Sequence, residues 1–499
     1  MNIGLTQMRD GRTARPRQDA VLHWIDDDSD AAGSAPEAGG PGSVEGRIGT
    51  MPLRRFAPVW GAAGRPRTLE GAAAWIVQGL RAAQAEGPYW LAAEARHAAL
   101  MHAVGLQLLG QDQEIAFLGL LGTAPLALVS GSGAPRSRAL PGWLIDPVGG
   151  QAQRLDLYAG GAVPRAPAVA GRTPSPEGLQ ALWAEALEQA RTEGRPRAPE
   201  LDYQPLIKLQ GGRAGRAPLF CVPGAGDSVM GLRDWGAALG ADWPVYGLQP
   251  RGSDAQLLPH TTVEATAAMA LRAMESIVGA GGVHLAGHSF GGWVAFEIAL
   301  RWQALGRPVL SLTLLDSEAP DAAGVLDRER SHLDICDQLA GSLELAAGRP
   351  LGVFRHQLAP LTPAQRLTLL HAAMTRHGLL PARTRPEVME GPLQAFGAAL
   401  RASYRPGGVW EGPVCLIQAD DPRRSAARNE QDQQRDHEAW RLWAPRLRCW
   451  KGPGNHMSML KPPHVQACVE RWLAAGPHPD AAAIATPPRH QTKDMGVTE

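Results

Sequence analysis

Lysine is almost missing from this chain. Four of the 49 basic residues are lysine, and 49 acidic residues bring the formal net charge to zero. No long basic run occurs, which gives no footing for nucleic acid or an anionic membrane surface as a partner. No stretch of 18 apolar residues exists, and Met1 to Gln18 is charged and lacks an apolar signal core. A soluble, cytoplasmic protein without a membrane span is expected. Cysteine is scarce as well. Cys221, Cys336, Cys415, Cys449 and Cys468 are odd in number and scattered, with no C-x-x-C and no His–Cys cluster. That pattern argues against a disulfide framework or a metal site, and no cofactor is expected. Four of the five lie in or beside apolar runs and read as buried free thiols.

Glycine, at 58 of 499 residues, is abundant. The length suits two or three domains. One Gly-rich stretch organises the rest: Gly281-Gly-Val-His-Leu-Ala-Gly-His-Ser-Phe-Gly-Gly292. Val283–Ala286 reads as a buried strand and Trp293–Leu305 has helical apolar spacing. Between them, Gly287-His-Ser289-Phe-Gly291 is a G-x-S-x-G turn. A strand reversing sharply into a helix strains the middle residue and exposes its hydroxyl, and the glycines leave room for the close approach. Ser289 is therefore a candidate nucleophile.

Its partners should follow in the order acid, then histidine. Val309–Leu315 reads as a buried strand ending at Asp316, which places that carboxylate on the same sheet rim as Ser289. Asp420 and Asp421, after the strand Val414–Gln418, are the rivals. His456 sits in Gly452-Pro-Gly-Asn-His-Met-Ser, between the strand Leu447–Trp450 and the helix Val465–Ala475. Such a loop swings its histidine over the rim. His288, beside the nucleophile, is expected to point away beneath the turn. Leu219–Val222 is a buried strand running into Pro223-Gly-Ala-Gly226. Its loop offers the Ala225 N–H, with the Phe290 N–H, as donors to a developing oxyanion. Residues 321–405 read as helical and cover the rim as a lid.

The first third of the chain repeats this pattern. A shift of 194 residues places Thr68-Leu-Glu70 on Thr262-Val-Glu264, Leu91-Ala92 on Leu285-Ala286, and Leu120-Leu121 on Leu314-Leu315. Over the 54 ungapped positions from 68/262 to 121/315, 11 residues are identical. Pro58–Gly61 echoes Pro244–Gly247, and Leu126–Ser130 resembles Val414–Gln418. In this register Ala95 stands for Ser289 and Gly122 for Asp316, and no histidine occurs near 158–163. The expected organisation is a disordered N-terminus at 1–19, with 28–50 flexible, and a truncated, inactive α/β copy at 20–165. A Pro-rich linker with one helix (Glu177–Arg191) follows at 166–204, then the active α/β domain at 205–475 and a disordered tail at 476–499.

Residues 205–475 resemble the thioesterase domains that end nonribosomal peptide and polyketide synthetases, within the α/β-hydrolase superfamily. The matching pieces are Pro218-Leu-Phe-Cys-Val with Ala225-Gly226, Val245-Tyr-Gly-Leu-Gln249, Gly287–Gly292, Leu314-Leu-Asp-Ser317, Tyr404-Arg-Pro406 and Gly454-Asn-His-Met-Ser458. Pro223-Gly224 stands where the family often has His-Pro. The resemblance implies an α/β-hydrolase fold with a helical lid. It also implies an acyl or peptidyl substrate thioester-linked to the phosphopantetheine of a carrier protein. No carrier, adenylation or condensation domain is evident, so the carrier or synthetase is expected in trans. A small-molecule carboxylesterase and a synthetase-associated interaction protein are the alternative readings.

Overall fold

The structure, a computed structural model, describes residues 21–25, 44–48, 51–56, 66–122, 140–146, 151–158, 161–164, 176–192, 203–278, 281–320 and 329–474. The chain forms two units, residues 1–109 with 113–198, and residues 110–112 with 199–499.

The N-terminal unit holds strands β1 (Leu22–Ile25), β2 (Val44–Ile48), β3 (Met51–Phe56), β4 (Tyr89–Glu94), β5 (Ile115–Leu121), β6 (Leu140–Asp146), β7 (Gln151–Tyr158) and β8 (Gly161–Pro164). They form one sheet in the order β2-β3-β1-β4-β5-β6-β7-β8. From β3 to β6 every neighbour is parallel, whereas β2, β7 and β8 pair antiparallel. Side chains alternate between the faces of a strand. Leu91, Leu118 and Leu120 accordingly meet helices α1 (Leu69–Ala83) and α2 (Ala98–Leu109). Trp90, Ala92 and Phe117 meet Trp183 and Leu187 of α3 (Pro176–Thr192) on the other face.

That helix departs from expectation. Its prolines suggested a linker, yet Trp183, Ala186 and Leu187 are buried in the N-terminal core. Burying a large apolar side chain contributes about 1.5–3 kcal/mol, which holds the helix on the sheet. Residues 44–48 were expected to be flexible with their Gly-rich surroundings, but they pair with β3, Ile48 opposite Met51. The segments Pro58–Gly61 and Leu126–Ser130 lie outside the described residues, as do 1–20 and 475–499. The strand beside β1 is β3, and the strand beside β5 is β6.

The C-terminal unit has strands β9 (Leu206–Gln210), β10 (Leu219–Val222), β11 (Val245–Leu248), β12 (Val283–His288), β13 (Val309–Leu315), β14 (Val414–Gln418) and β15 (Leu447–Lys451), ordered β15-β14-β13-β12-β10-β11-β9. All neighbours are parallel except β9 with β11. A parallel sheet must be covered on both faces. Phe220, Leu285, Leu314 and Leu416 pack with α5 (Val263–Val278), α6 (Phe290–Ala304) and Trp440 of α11 (Ala426–Arg441). Cys221, Ala286, Leu315 and Ile417 pack with α4 (Arg233–Leu239) and α12 (Val465–Ala474). Between β13 and β14 lie helices α7 (His332–Ala347), α8 (Arg355–Leu358), α9 (Pro363–Arg376) and α10 (Glu390–Arg401), with an apolar cluster of their own. Capping boxes at Ser331 and Thr362 start α7 and α9. Because β10, β12 and β13 run parallel in register, Val222, His288 and Leu315 end on one edge. The residues that follow them share a rim.

Candidate active site

β12 ends at His288 and α6 begins at Phe290, so Ser289 alone turns the chain. It does so at φ 53°, ψ −125°, a conformation strained for an L residue. The flanking glycines make the turn possible. A Cβ on Gly287 would run into the carbonyl of Gly291, and one on Gly291 into the carbonyls of Val222 and Pro223. The Ser289 N–H donates to the Leu315 carbonyl at 2.8 Å, tying the turn to the end of β13.

Asp316 follows that strand end at φ 46°. Its N–H donates to the Ile417 carbonyl at 2.7 Å. Its carboxylate accepts the Ala419 N–H at 2.9 Å through Oδ1 and faces His456 Nδ1 at 2.7 Å through Oδ2. The next two carbonyls are pinned by indoles: Trp440 Nε1–H donates to Ser317 and Trp293 Nε1–H to Glu318. The sequence left Asp420 and Asp421 as rivals, and both are engaged elsewhere. Asp420 pairs with Lys451 at 2.8 Å and accepts from Gln433, and Asp421 holds Arg423.

His456 rides on a turn shaped by Asn455, whose Oδ1 accepts the N–H of Met457 at 2.9 Å and of Ser458 at 3.0 Å. With the Nδ1 proton directed at Asp316, Nε2 is the basic nitrogen. Burial works against the charged ring. The hydrogen bond and charge of Asp316, helped by Asp227 and Glu318, outweigh it and hold the His456 pKa above its ordinary value. His288 turns toward the His456 loop. Its Nε2 lies 2.8 Å from the His456 carbonyl, with the rings 4.8 Å apart, and burial pushes its pKa down. The His288 ring packs against the His456 loop and braces it.

Beside the serine runs the loop after β10. A turn closed by the Asp227 N–H on the Gly224 carbonyl leaves the Ala225 N–H outside its own bond. A Cβ on Gly224 would lie 3.4 Å from Ser289 Cβ and 3.0 Å from His288 Nδ1, so this backbone flanks the elbow directly. Phe290 opens α6 and therefore has no i−4 acceptor within the helix. Sequence reasoning passed over Asp227, because an aspartate in a Gly-rich loop reads as a turn former. Its half-buried carboxylate adjoins the same gap, burial raises its pKa, and its charge reaches His456.

Residues 217–474 match the thioesterase-domain family model. The chain belongs to the thioesterase domain family. Indigoidine synthase of Dickeya dadantii is 32% identical over 142 residues, 28% of this chain and 10% of the synthase. Chondramide synthase of Chondromyces crocatus is 25% identical over 293 residues, 55% of this chain and 7% of that one. The chain thus spans a tenth or less of the length of these relatives. Among solved structures, the type II thioesterase of the yersiniabactin pathway is 21% identical with a TM-score of 0.40, covering 55% of this chain and 99% of that one. The thioesterase domain has the α/β-hydrolase fold anticipated from its motifs.

The insertion α7–α10 meets the thioesterase site at two points. Ala225 packs against the lid cluster, and a Cβ on Gly226 would stand 2.7 Å from Phe396 of α10. Asn455 Nδ2 reaches the Leu345 carbonyl of α7 at 3.4 Å. Behind the elbow, buried Glu297 of α6 accepts Tyr404 Oη–H at 2.8 Å and Arg301 Nε–H at 2.6 Å, anchoring the helix to the end of the insertion. Among the described residues no His/Cys/Asp/Glu group has metal-binding geometry, and no helix is long and apolar enough to cross a membrane.

Proposed function

We propose that this thioesterase domain releases acyl or peptidyl chains from the phosphopantetheine arm of a carrier protein supplied in trans, with Ser289 as nucleophile, His456 as base and Asp316 as the orienting acid. The observation that carries the reading is the 2.7 Å His456 Nδ1–Asp316 Oδ2 contact on the rim that holds Ser289 at its strained elbow. His456 Nε2 takes the Ser289 proton as Oγ attacks the thioester carbonyl. The oxyanion is received by the N–H groups of Ala225 and Phe290, each such donor being worth about 3 kcal/mol in the transition state. Collapse expels the pantetheine thiolate, which takes the proton back from His456. Water, or a nucleophile of the chain itself, then attacks the acyl-serine with His456 again as base.

The test is Ser289→Ala assayed on a carrier-loaded thioester and on p-nitrophenyl acetate. Loss of the first activity, with wild-type kcat/KM far higher on the thioester, is the expected result. A wild-type chain that prefers the simple ester would favour a carboxylesterase.

A further inference from the structure

The middle of the N-terminal sheet repeats the thioesterase frame, although its edge strands differ. Its parallel block, β3-β1-β4-β5-β6, has the same chain order and direction as β11-β10-β12-β13-β14. The pairing of β4 with β5 matches that of β12 with β13 residue for residue under the same sequence shift. Tyr89 faces Ile115 as Val283 faces Val309. One residue is then skipped in both, so that Trp90 faces Phe117 as His284 faces Ser311, and the match continues to Glu94/Leu121 and His288/Leu315. A bulge is a local irregularity that composition does not dictate. Its recurrence at the same place is hard to obtain from two unrelated Ala/Leu-rich segments.

Flanking bonds agree as well. The Thr68 hydroxyl caps α1 through the Gly71 N–H, as Thr262 accepts the Ala265 N–H before α5. The Tyr89 N–H donates to Glu114 O as Val283 does to Pro308 O. The Gly122 N–H donates to Ile145 O as Asp316 does to Ile417 O. In the N-terminal unit the chain passes from β5 to β6 where the thioesterase domain inserts its helical lid.

The chemistry is gone, and each loss fits the next. Ala95 replaces Ser289 and opens a short 3-10 turn, Ala95–His97, without the positive φ of the elbow. With the elbow relaxed, Ala93 and His97 are accommodated where Gly287 and Gly291 are obligatory. Gly122 replaces Asp316, and a Cβ there would lie only 2.6 Å from Ala95 Cβ, so no side chain fits at the acid's position. β7 turns back antiparallel on β6, whereas β15 runs parallel to β14 and delivers the His456 loop.

We infer that residues 68–146 are a second, catalytically silent copy of the thioesterase frame, so that the chain carries one acyl-transfer centre and not two. The full-length chain, treated with a serine-directed fluorophosphonate and mapped by peptide mass, tests the silence. One adduct at Ser289 is expected, with none in Ser289→Ala and none in Ser289→Ala/Ala95→Ser, where a serine is restored without elbow or base. An adduct on any residue from 66 to 192 in any of these chains overturns it. A crystal structure of the full chain tests the copy independently of what Ser289 does. The skipped residue between 115 and 117 must recur as it does between 309 and 311, and an unbroken β4/β5 register would refute common descent of the two frames.

Discussion

Two sheets in this molecule follow one plan, and they differ most at the turn where one of them holds the proposed nucleophile. After β12 the chain reads Gly-His-Ser-Phe-Gly and holds its serine at φ 53°. After β4 it reads Ala-Glu-Ala-Arg-His and makes an ordinary turn. The comparison teaches that the elbow is not a property of the sheet. It is a strained addition, possible only while two glycines leave room for carbonyl oxygens, and once the nucleophile is absent the neighbourhood relaxes to larger residues.

The sharpest way to break the comparison is at the serine. Ser289→Ala should lower kcat on a carrier-linked thioester by roughly 10^6-fold, the scale of a lost serine nucleophile, whereas Ala95→Ser should leave turnover unchanged. Asp316→Asn should cost roughly 10^4-fold by presenting the wrong imidazole tautomer, while Asp420→Asn changes kcat less than a few fold. Equal losses from the two aspartates would undo the assignment. Gly287→Ala should destabilise the C-terminal unit by upwards of about 3 kcal/mol, the range of severe backbone clashes, measured by denaturant unfolding. Ala93→Gly should shift the N-terminal unit by only about 1 kcal/mol or less.

A smaller effect concerns pH. The base must be neutral to accept a proton, and the carboxylates around His456 stabilise its protonated form. The acid limb of kcat/KM should therefore lie above the ordinary histidine value of about 6.5, with activity falling as pH drops through it. Asp227→Asn removes one of the charges favouring the imidazolium, so the limb should move to lower pH. A limb that stays put or moves upward would remove Asp227 from the site's electrostatics. Thr68→Ala and Thr262→Ala should each cost about 1 kcal/mol as lost helix caps, similar in the two frames, as denaturant unfolding of each unit would show.

Much of this was legible in the sequence, for identifiable reasons. The buried parallel strands are continuous apolar runs, so β10, β12, β13 and β14 stand out, and the paired ends of β12 and β13 put Ser289 and Asp316 on one rim. His456 was marked by its Gly-rich loop after the last strand. Other features were hidden. α11 is polar on nearly every side and buries little beyond Trp440, Asn429 and Asp432, so it carries no apolar stripe to read. β2 is made by pairing with β3, a tertiary event that its Gly-containing sequence does not announce. α3 is amphipathic, but its prolines pointed to a linker while Trp183 binds it to the sheet. The role of His288 as a brace depends on contacts with the ring and backbone carbonyl of a residue 168 positions away.

The most direct measurement is the mass of the full-length chain quenched during turnover of a phosphopantetheine-linked thioester, followed by peptide mapping. An acyl group on the peptide containing Ser289, absent from Ser289→Ala along with turnover, is the predicted result. Undiminished turnover by Ser289→Ala, or an acyl group carried on any other residue, would contradict it.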